Sequence, residues 1–263
     1  MRVLVEGLWL PKAGNREEEY EDALSHRRVR GKLTRKVPRF AVADGATESS
    51  FSGLWARLLV NSNSRAPLNV ANVRQRVEAL GRKWLRAATA KPLPWYAERK
   101  IQQGAFSTFL GLSLESNDVS TTSVGGKWTS FAVGDSCLFQ VRGSELVTCF
   151  PIEHADQFGY HPLLLSSIPQ KNDVVWKKLS ELEKTGTWLP GDTFFLMTDA
   201  LAQWFLVQAE QGKQPWLFLK ERVEPLELPL FSDQFEKWVN DRRDAKEMRN
   251  DDVTLLIITI GEA

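Results

Sequence analysis

Apolar runs and alternations divide the chain into short strands and a few amphipathic helices. Val3–Leu10 reads as an opening strand, followed by a turn over Pro11–Asn15 and an acidic stretch from Glu17 to Asp22. Residues 27–33 and 39–43 read as two further strands. Phe51, Leu54, Trp55, Leu58 and Leu59 keep helical i, i+3, i+4 spacing, with Ser49 or Ser50 placed to cap the helix. A second helix fits Val73, Val77, Leu80 and Trp84 and is closed by Pro92 and Pro94. Thr108, Leu110, Leu112 and Leu114 then alternate, which predicts a half-buried strand over Ala105–Glu115. Runs over Lys127–Val133, Leu138–Arg142 and Glu145–Phe150 complete a meander, and residues 151–172 read as a long surface connection. Leu201, Trp204, Phe205 and Gln208 mark another helix, Phe231, Phe235, Trp238 and Arg242 a last one, and Val253–Ile260 a terminal strand.

Short turns between the middle strands favour antiparallel pairing, and the element order suits an α+β fold in which sheet packs on sheet with helices outside. No repeat or linker interrupts the pattern, so a single domain over residues 1–263 is expected. Four of the apolar runs stop or start at aspartate. Residues 39–43 run into Asp44-Gly45, and 129–133 run into Gly134-Asp135. Residues 193–198 run into Asp199, and Asp251-Asp252 opens the last strand. Carboxylates at the ends of rigid strands can converge, and clustered carboxylates repel unless protons or cations neutralise them. Hard oxygen donors of this kind suit Mg²⁺, Mn²⁺ or Ca²⁺. The competing reading is four turn-forming aspartates bonding nearby backbone.

Composition narrows the partners. A net charge of +1 gives no field for nucleic acid or a membrane surface, and neither is expected as a partner. No apolar stretch reaches membrane-spanning length, and two cysteines, Cys137 and Cys149, suit a reducing compartment. A cytoplasmic monomer is expected. A Gly143-Ser144 turn would set Cys149 opposite Leu138, putting the two cysteines on opposite sheet faces.

Glu21-Asp22, Asp44-Gly45, Gly134-Asp135-Ser136, Pro190-Gly191-Asp192 with Asp199-Ala200, and Asp251-Asp252-Val253-Thr254 stand in that order over nearly the whole chain. Taken together they resemble the signatures of the metal-dependent protein phosphatases of type 2C. The resemblance implies a four-layer αββα fold, a central antiparallel β-sandwich flanked by helix pairs. It implies hydrolysis of phosphoserine or phosphothreonine in proteins by a hydroxide shared between two Mn²⁺ or Mg²⁺ ions, with a third, weaker ion. Asp44 resembles the carboxylate bridging both ions, with the Gly45 carbonyl on one of them. Asp199 and Asp251 resemble terminal ligands, and these three aspartates are the implied catalytic acids. Glu21 and Asp22 resemble acids that hold metal-bound water, and Asp135 the ligand of the weaker ion. Asp252 stands where relatives often carry asparagine.

Departures from that pattern accompany the match. Ala46-Thr47-Glu48 follows the first Asp-Gly, so no histidine stands there as a general acid, and Ala200 replaces the second glycine. Glu17 occupies the usual place of a phosphate-binding arginine, which leaves Arg16 as the nearest substrate candidate. The alternative implied is a catalytically impaired relative that binds phosphoproteins or regulates. Arg27, Arg28, Arg30, Lys32, Arg35, Lys36 and Arg39 form a basic strip, either a solvated hairpin face or a docking strip for acidic partners. His26, His154 and His161 lack metal-ligand spacing, and residues 151–172 form either a flap over the site or a plain loop.

Overall fold

The computed structural model describes residues 2–25, 31–33, 37–92, 100–117, 125–159, 161–221 and 228–261. The apolar runs become two antiparallel sheets. One holds β1 (Val3–Leu10), β3 (Gly31–Leu33), β8 (Cys137–Arg142), β9 (Glu145–Phe150), β12 (Thr193–Met197) and β13 (Val253–Ile260), in the order β3-β1-β13-β12-β8-β9. The other holds β2 (Ala23–Leu24), β4 (Arg39–Ala43), β6 (Phe109–Ser116), β7 (Gly126–Val133) and β11 (Glu183–Trp188), in the order β11-β7-β6-β4-β2. A separate ribbon pairs β5 (Phe106–Ser107) with β10 (Leu165–Ser166). The helices are α1 (Ser52–Arg65), α2 (Val73–Ala88), α3 (Asp173–Lys177), α4 (Asp199–Glu210), α5 (Pro215–Glu221) and α6 (Leu228–Asp244).

Strand periodicity assigns each face. Phe194 and Leu196 point between the sheets, where they meet Val5, Phe40, Leu112 and Ile258. Phe195 and Met197 point outward, into a layer of Leu201, Phe205, Trp216 and Val239 from α4, α5 and α6. On the far side Ala41, Phe131 and Val133 pack against Trp55, Leu59, Val77 and Trp84 from α1 and α2. A strand covered on both faces needs apolar residues at every position, which is why these runs are continuous rather than alternating. The result is a four-layer αββα sandwich of antiparallel sheets. No helix among the described residues is long and apolar enough to cross a membrane.

Several expectations need correction. The middle strands are not a meander, because β8 and β9 form a hairpin in the sheet opposite β7. The chain changes sheets at Gly134, whose φ of 101° is a left-handed conformation that glycine adopts without strain. A Cβ there would lie 2.7 Å from Thr108 Cγ2 and 2.8 Å from the Leu163 carbonyl oxygen. Ala105–Glu115 is not one half-buried strand. It breaks at Thr108, whose N–H donates 2.8 Å to the Asp44 carbonyl, and residues 109–114 beyond the break are buried on both faces.

Neither serine caps α1. Phe51 takes the cap position with φ 59°, while Ser49 Oγ braces the preceding turn, donating to the Ala46 carbonyl at 2.9 Å. An irregularity between Gln140 and Val141 shifts the hairpin register, so Phe139, not Leu138, faces Cys149. Cys137 and Cys149 therefore share the face toward α4, as free thiols. Residues 151–172 are more than a surface connection: Leu165, Ser166 and Asn172 are buried, and Asn172 Oδ1 accepts the Ser166 N–H at 2.7 Å. His26 and most of the basic strip lie outside the described residues. Of its arginines Arg39 is described, donating from Nη1 to the Arg65 carbonyl at 3.3 Å.

Candidate metal centre

Asp44 follows the last residue of β4, Asp135 the corner after β7, and Asp199 the end of β12, while Asp251 and Asp252 precede β13. Register brings these ends together. Met197 pairs with both Cys137 and Leu255, and Val133 pairs with Phe109, next to the Thr108 that binds Asp44. Asp22 arrives from the segment before β2, and Thr254 Oγ1 donates to its Oδ2 at 2.6 Å. Tyr20 OH bonds to the same threonine hydroxyl. Asp22, Asp135 and Asp199 are buried, and Asp44 and Asp251 are half-buried.

The carboxylates act on one another. Burial first, then the charges of Asp22, Asp199, Asp135 and Asp251, push the Asp44 carboxyl well above the ordinary carboxylate range. Burial and then Asp252 do the same to Asp22. Asp135 is pushed up to about 7 by burial and then by Asp199. Burial raises Asp199 as well, against the lowering effect of Arg249. Glu21 is raised mainly by burial, with its Oε1 accepting the Ser52 hydroxyl. Gly45 sits where a Cβ would lie 2.7 Å from the Glu21 carbonyl oxygen and 2.8 Å from the Ser52 carbonyl carbon, so only glycine lets α1 and the Glu21 backbone close on Asp44.

The donor set fits a divalent cation. Oδ1 of Asp22 and Oδ1 of Asp135 are buried with no hydrogen-bond partner. Buried carboxylate oxygens of this kind are satisfied by protons or by a hard cation. Among the described residues, no three His, Cys, Asp or Glu side chains stand at coordinating distance as they are. A guanidinium reaches the cluster: Arg249 Nη2 donates to Asp199 Oδ2 at 2.7 Å. Asp199 Oδ1 accepts the Ala200 N–H at 2.6 Å, so both of its oxygens have donors.

No family model matches the chain, and no curated protein does. Solved structures do match. The serine/threonine phosphatase PstP/Ppp of Mycobacterium tuberculosis aligns over 100% of both chains with a TM-score of 0.57 and 14% identity. PppA, a regulatory component of the type VI secretion system in Pseudomonas aeruginosa, covers 98% of this chain and 97% of its own at a TM-score of 0.52 and 15% identity. Stp1, a serine/threonine phosphatase from Staphylococcus aureus, covers 98% and 95% at a TM-score of 0.52 and 10% identity. The chain has the type 2C phosphatase fold.

Within that type 2C fold, the structure gathers Asp22, Asp44, Asp135, Asp199 and Asp251 at one end of the sandwich. Asp252 adjoins the cluster, where its charge acts on Asp22, and has a different role. Its Oδ1 accepts the Lys12 N–H at 2.8 Å and its Oδ2 the Glu21 N–H at 2.7 Å, so it pins the segment that carries Asp22. Asp192, in the Pro-Gly-Asp turn, is tied to Arg142 at 2.8 Å and to Gln140, away from the cluster. Arg16 is bound to Glu19 at 3.6 Å with 84% of its side chain exposed, and no described interaction joins it to the carboxylates. His154 pairs with Glu210 at 3.5 Å. Sequence reasoning missed Tyr20, Thr254 and Arg249. A threonine inside the Asp-Asp-Val-Thr motif and an arginine two residues before Asp251 were the available signals.

Proposed function

We infer that this chain is a Mn²⁺- or Mg²⁺-dependent phosphatase acting on phosphoserine or phosphothreonine in proteins. The observation that carries this reading is the meeting of four aspartates, Asp22, Asp135, Asp199 and Asp251, around Asp44. In it Asp44, the Gly45 carbonyl, Asp199 and Asp251 would hold two ions, and Asp22 and Asp135 would complete the donor set. Bound divalent ions supply a hydroxide near neutral pH and neutralise charge on the phosphoryl group. The chain's own part is positional. Strand ends fix each carboxylate, Thr254 aims Asp22, and Asp252 ties Glu21 and Lys12 to the start of β13. No Cys-His or Ser-His pair is needed for direct attack by water. The reading takes the chain as a cytoplasmic monomer acting as one domain.

One observation favours a second reading, in which the fold binds phosphoproteins without hydrolysing them: Arg249 already neutralises Asp199. Hydrolysis of an aryl phosphate and of a phosphothreonine peptide, with Mn²⁺ and with EDTA, separates the two. Turnover that appears with Mn²⁺ and vanishes with EDTA is expected. A pure chain that binds Mn²⁺ yet turns over neither substrate would overturn the enzymatic reading.

A further inference from the structure

α1 and α2 lie side by side over the sheet that holds β4, and a cleft of about 380 Å³ opens between them. Each helix lines it at i, i+4, i+7 spacing, α1 with Leu58, Ser62 and Arg65 and α2 with Arg76, Leu80 and Lys83. Arg65, Arg76 and Lys83 are cations, and no acid among the described residues lines the cleft. Arg76 has an internal task. It gives Nη2 to the Ser62 carbonyl at 2.6 Å and Nη1 to the Pro67 carbonyl at 2.8 Å, closing the C-terminal end of α1. One cation suffices there, since a helix C-terminus carries about half a negative charge. The side chains of Arg65 and Lys83 are exposed and make no hydrogen bond or ion pair with a described residue. Arg39 joins them, donating to the Arg65 carbonyl at 3.3 Å. Burial and then the charge of Arg39 lower the pKa of Arg76, so like charges are held close in a chain whose net charge is only +1.

We propose that this cleft is a docking site for an acidic peptide segment, one that flanks the phosphorylated residue of a protein substrate. That the peptide belongs to a substrate rests on the phosphatase reading above. Arg65 and Lys83 take its carboxylates, and Arg39 and Arg76 add to the positive field around them. Leu58 and Leu80 give the cleft an apolar floor for the methylene stems of glutamate. No aromatic residue lines it for a base to stack on, so a nucleic acid fits less well. The elements also set its reach from the metal centre. β4 begins at Arg39 and ends just before Asp44, which puts the two about 17 Å apart along the strand. α1 begins with Ser52 on Glu21 and carries Leu58 about 9 Å and Arg65 about 20 Å farther on. An extended peptide advances about 3.3 Å per residue, so acids about three to six positions from the phosphorylated residue lie over the cleft.

Fluorescence anisotropy with the Mn²⁺-loaded full chain tests this, using labelled peptides with unphosphorylated threonine so that turnover does not interfere. One peptide carries glutamate at the positions that reach the cleft, and its control carries glutamine there. The wild type should bind the glutamate peptide roughly 3- to 10-fold more tightly, the size of two exposed charge pairs, and the preference should fade with salt. The Arg65→Gln, Lys83→Gln double variant should lose the preference and keep its thermal midpoint, since both side chains are exposed. Arg65→Glu with Lys83→Glu should instead favour a lysine peptide. Equal affinity of the wild type for both peptides, or a preference that survives in the glutamine double variant, would refute the proposal. So would a single-stranded oligonucleotide that displaces the glutamate peptide and loses its hold in the same variant. Failure of the phosphatase reading looks different: a cleft-dependent preference in a chain that hydrolyses neither phosphorylated counterpart keeps the docking site and removes the enzyme.

Discussion

Thr254 Oγ1 donates to Asp22 Oδ2 at 2.6 Å, joining the first acid of the cluster to the last strand of the sandwich. The threonine is fully buried and also meets Tyr20 OH, so its hydroxyl serves two partners that water does not reach. Thr254→Val keeps the shape and removes both bonds. We expect a loss of about 1–3 kcal/mol in urea unfolding, the cost of stranding buried polar groups. Weaker Mn²⁺ binding by calorimetry should accompany it, and wild-type metal affinity in this variant would show that Asp22 does not need the bond.

Asp44 is the acid on which the other charges converge. Asp44→Asn should abolish Mn²⁺-dependent turnover while leaving the fold intact. It should also raise the thermal midpoint of the metal-free protein, because it removes one charge from a group of mutually repelling carboxylates. Function and stability then move in opposite directions, as at sites kept strained for chemistry. A lowered midpoint would argue that the carboxylate is structurally satisfied.

The raised carboxyls set the pH response of the metal-free chain. A carboxyl with a higher pKa folded than unfolded binds more protons in the folded state, so stability falls as pH rises between the two values. For Asp135 that interval runs from the ordinary 3.8 to about 7. Metal-free protein should therefore be more resistant to urea at pH 5 than at pH 8, with a slope of at most about 1.4 kcal/mol per pH unit for each group. Asp135→Asn should flatten the slope, and Mn²⁺ should restore stability at pH 8. A metal-free protein that gains stability toward pH 8 would contradict the burial of these acids.

Asp252 accepts two backbone N–H groups, from Lys12 and Glu21. Asp252→Ala leaves both donors open and should loosen the segment between them. Amide exchange at Lys12 and Glu21 should accelerate at least about tenfold, the equivalent of about 1.4 kcal/mol in local opening. Exchange in the body of β13 should stay slow. Asparagine should be intermediate, since its amide offers one acceptor in place of two.

The strands that the sequence marked most plainly were β1, β4 and β13, whose predicted and observed bounds coincide. Each is an apolar run ended by a turn former or an acid, and burial on both faces leaves little choice of residue. β11 was not legible. Its Glu183-Lys-Thr-Gly-Thr-Trp188 alternates exposed and covered positions at a sheet edge, where polar residues are tolerated. The sheet assignment of β7 and β8 was equally hidden, since Gly134-Asp135-Ser136 reads as an ordinary turn whether it folds back or crosses over. The aspartates could be found because strand ends advertise them. Arg249 could not, because its partner lies 50 positions away and only tertiary packing brings the two together.

The pairing of β1 with β13 runs unbroken from Val3 opposite Ile260 to Leu10 opposite Val253. A sheet in which strands so far apart in sequence must pair has no short route to assembly, and such distant pairing slows folding. On the ribosome β1 must wait, its edge toward β13 uncovered, until residue 260 has emerged. The acids at 22 and 44 meet those at 199 and 251 only then, so a nascent chain cannot assemble the carboxylate cluster until β13 has been made.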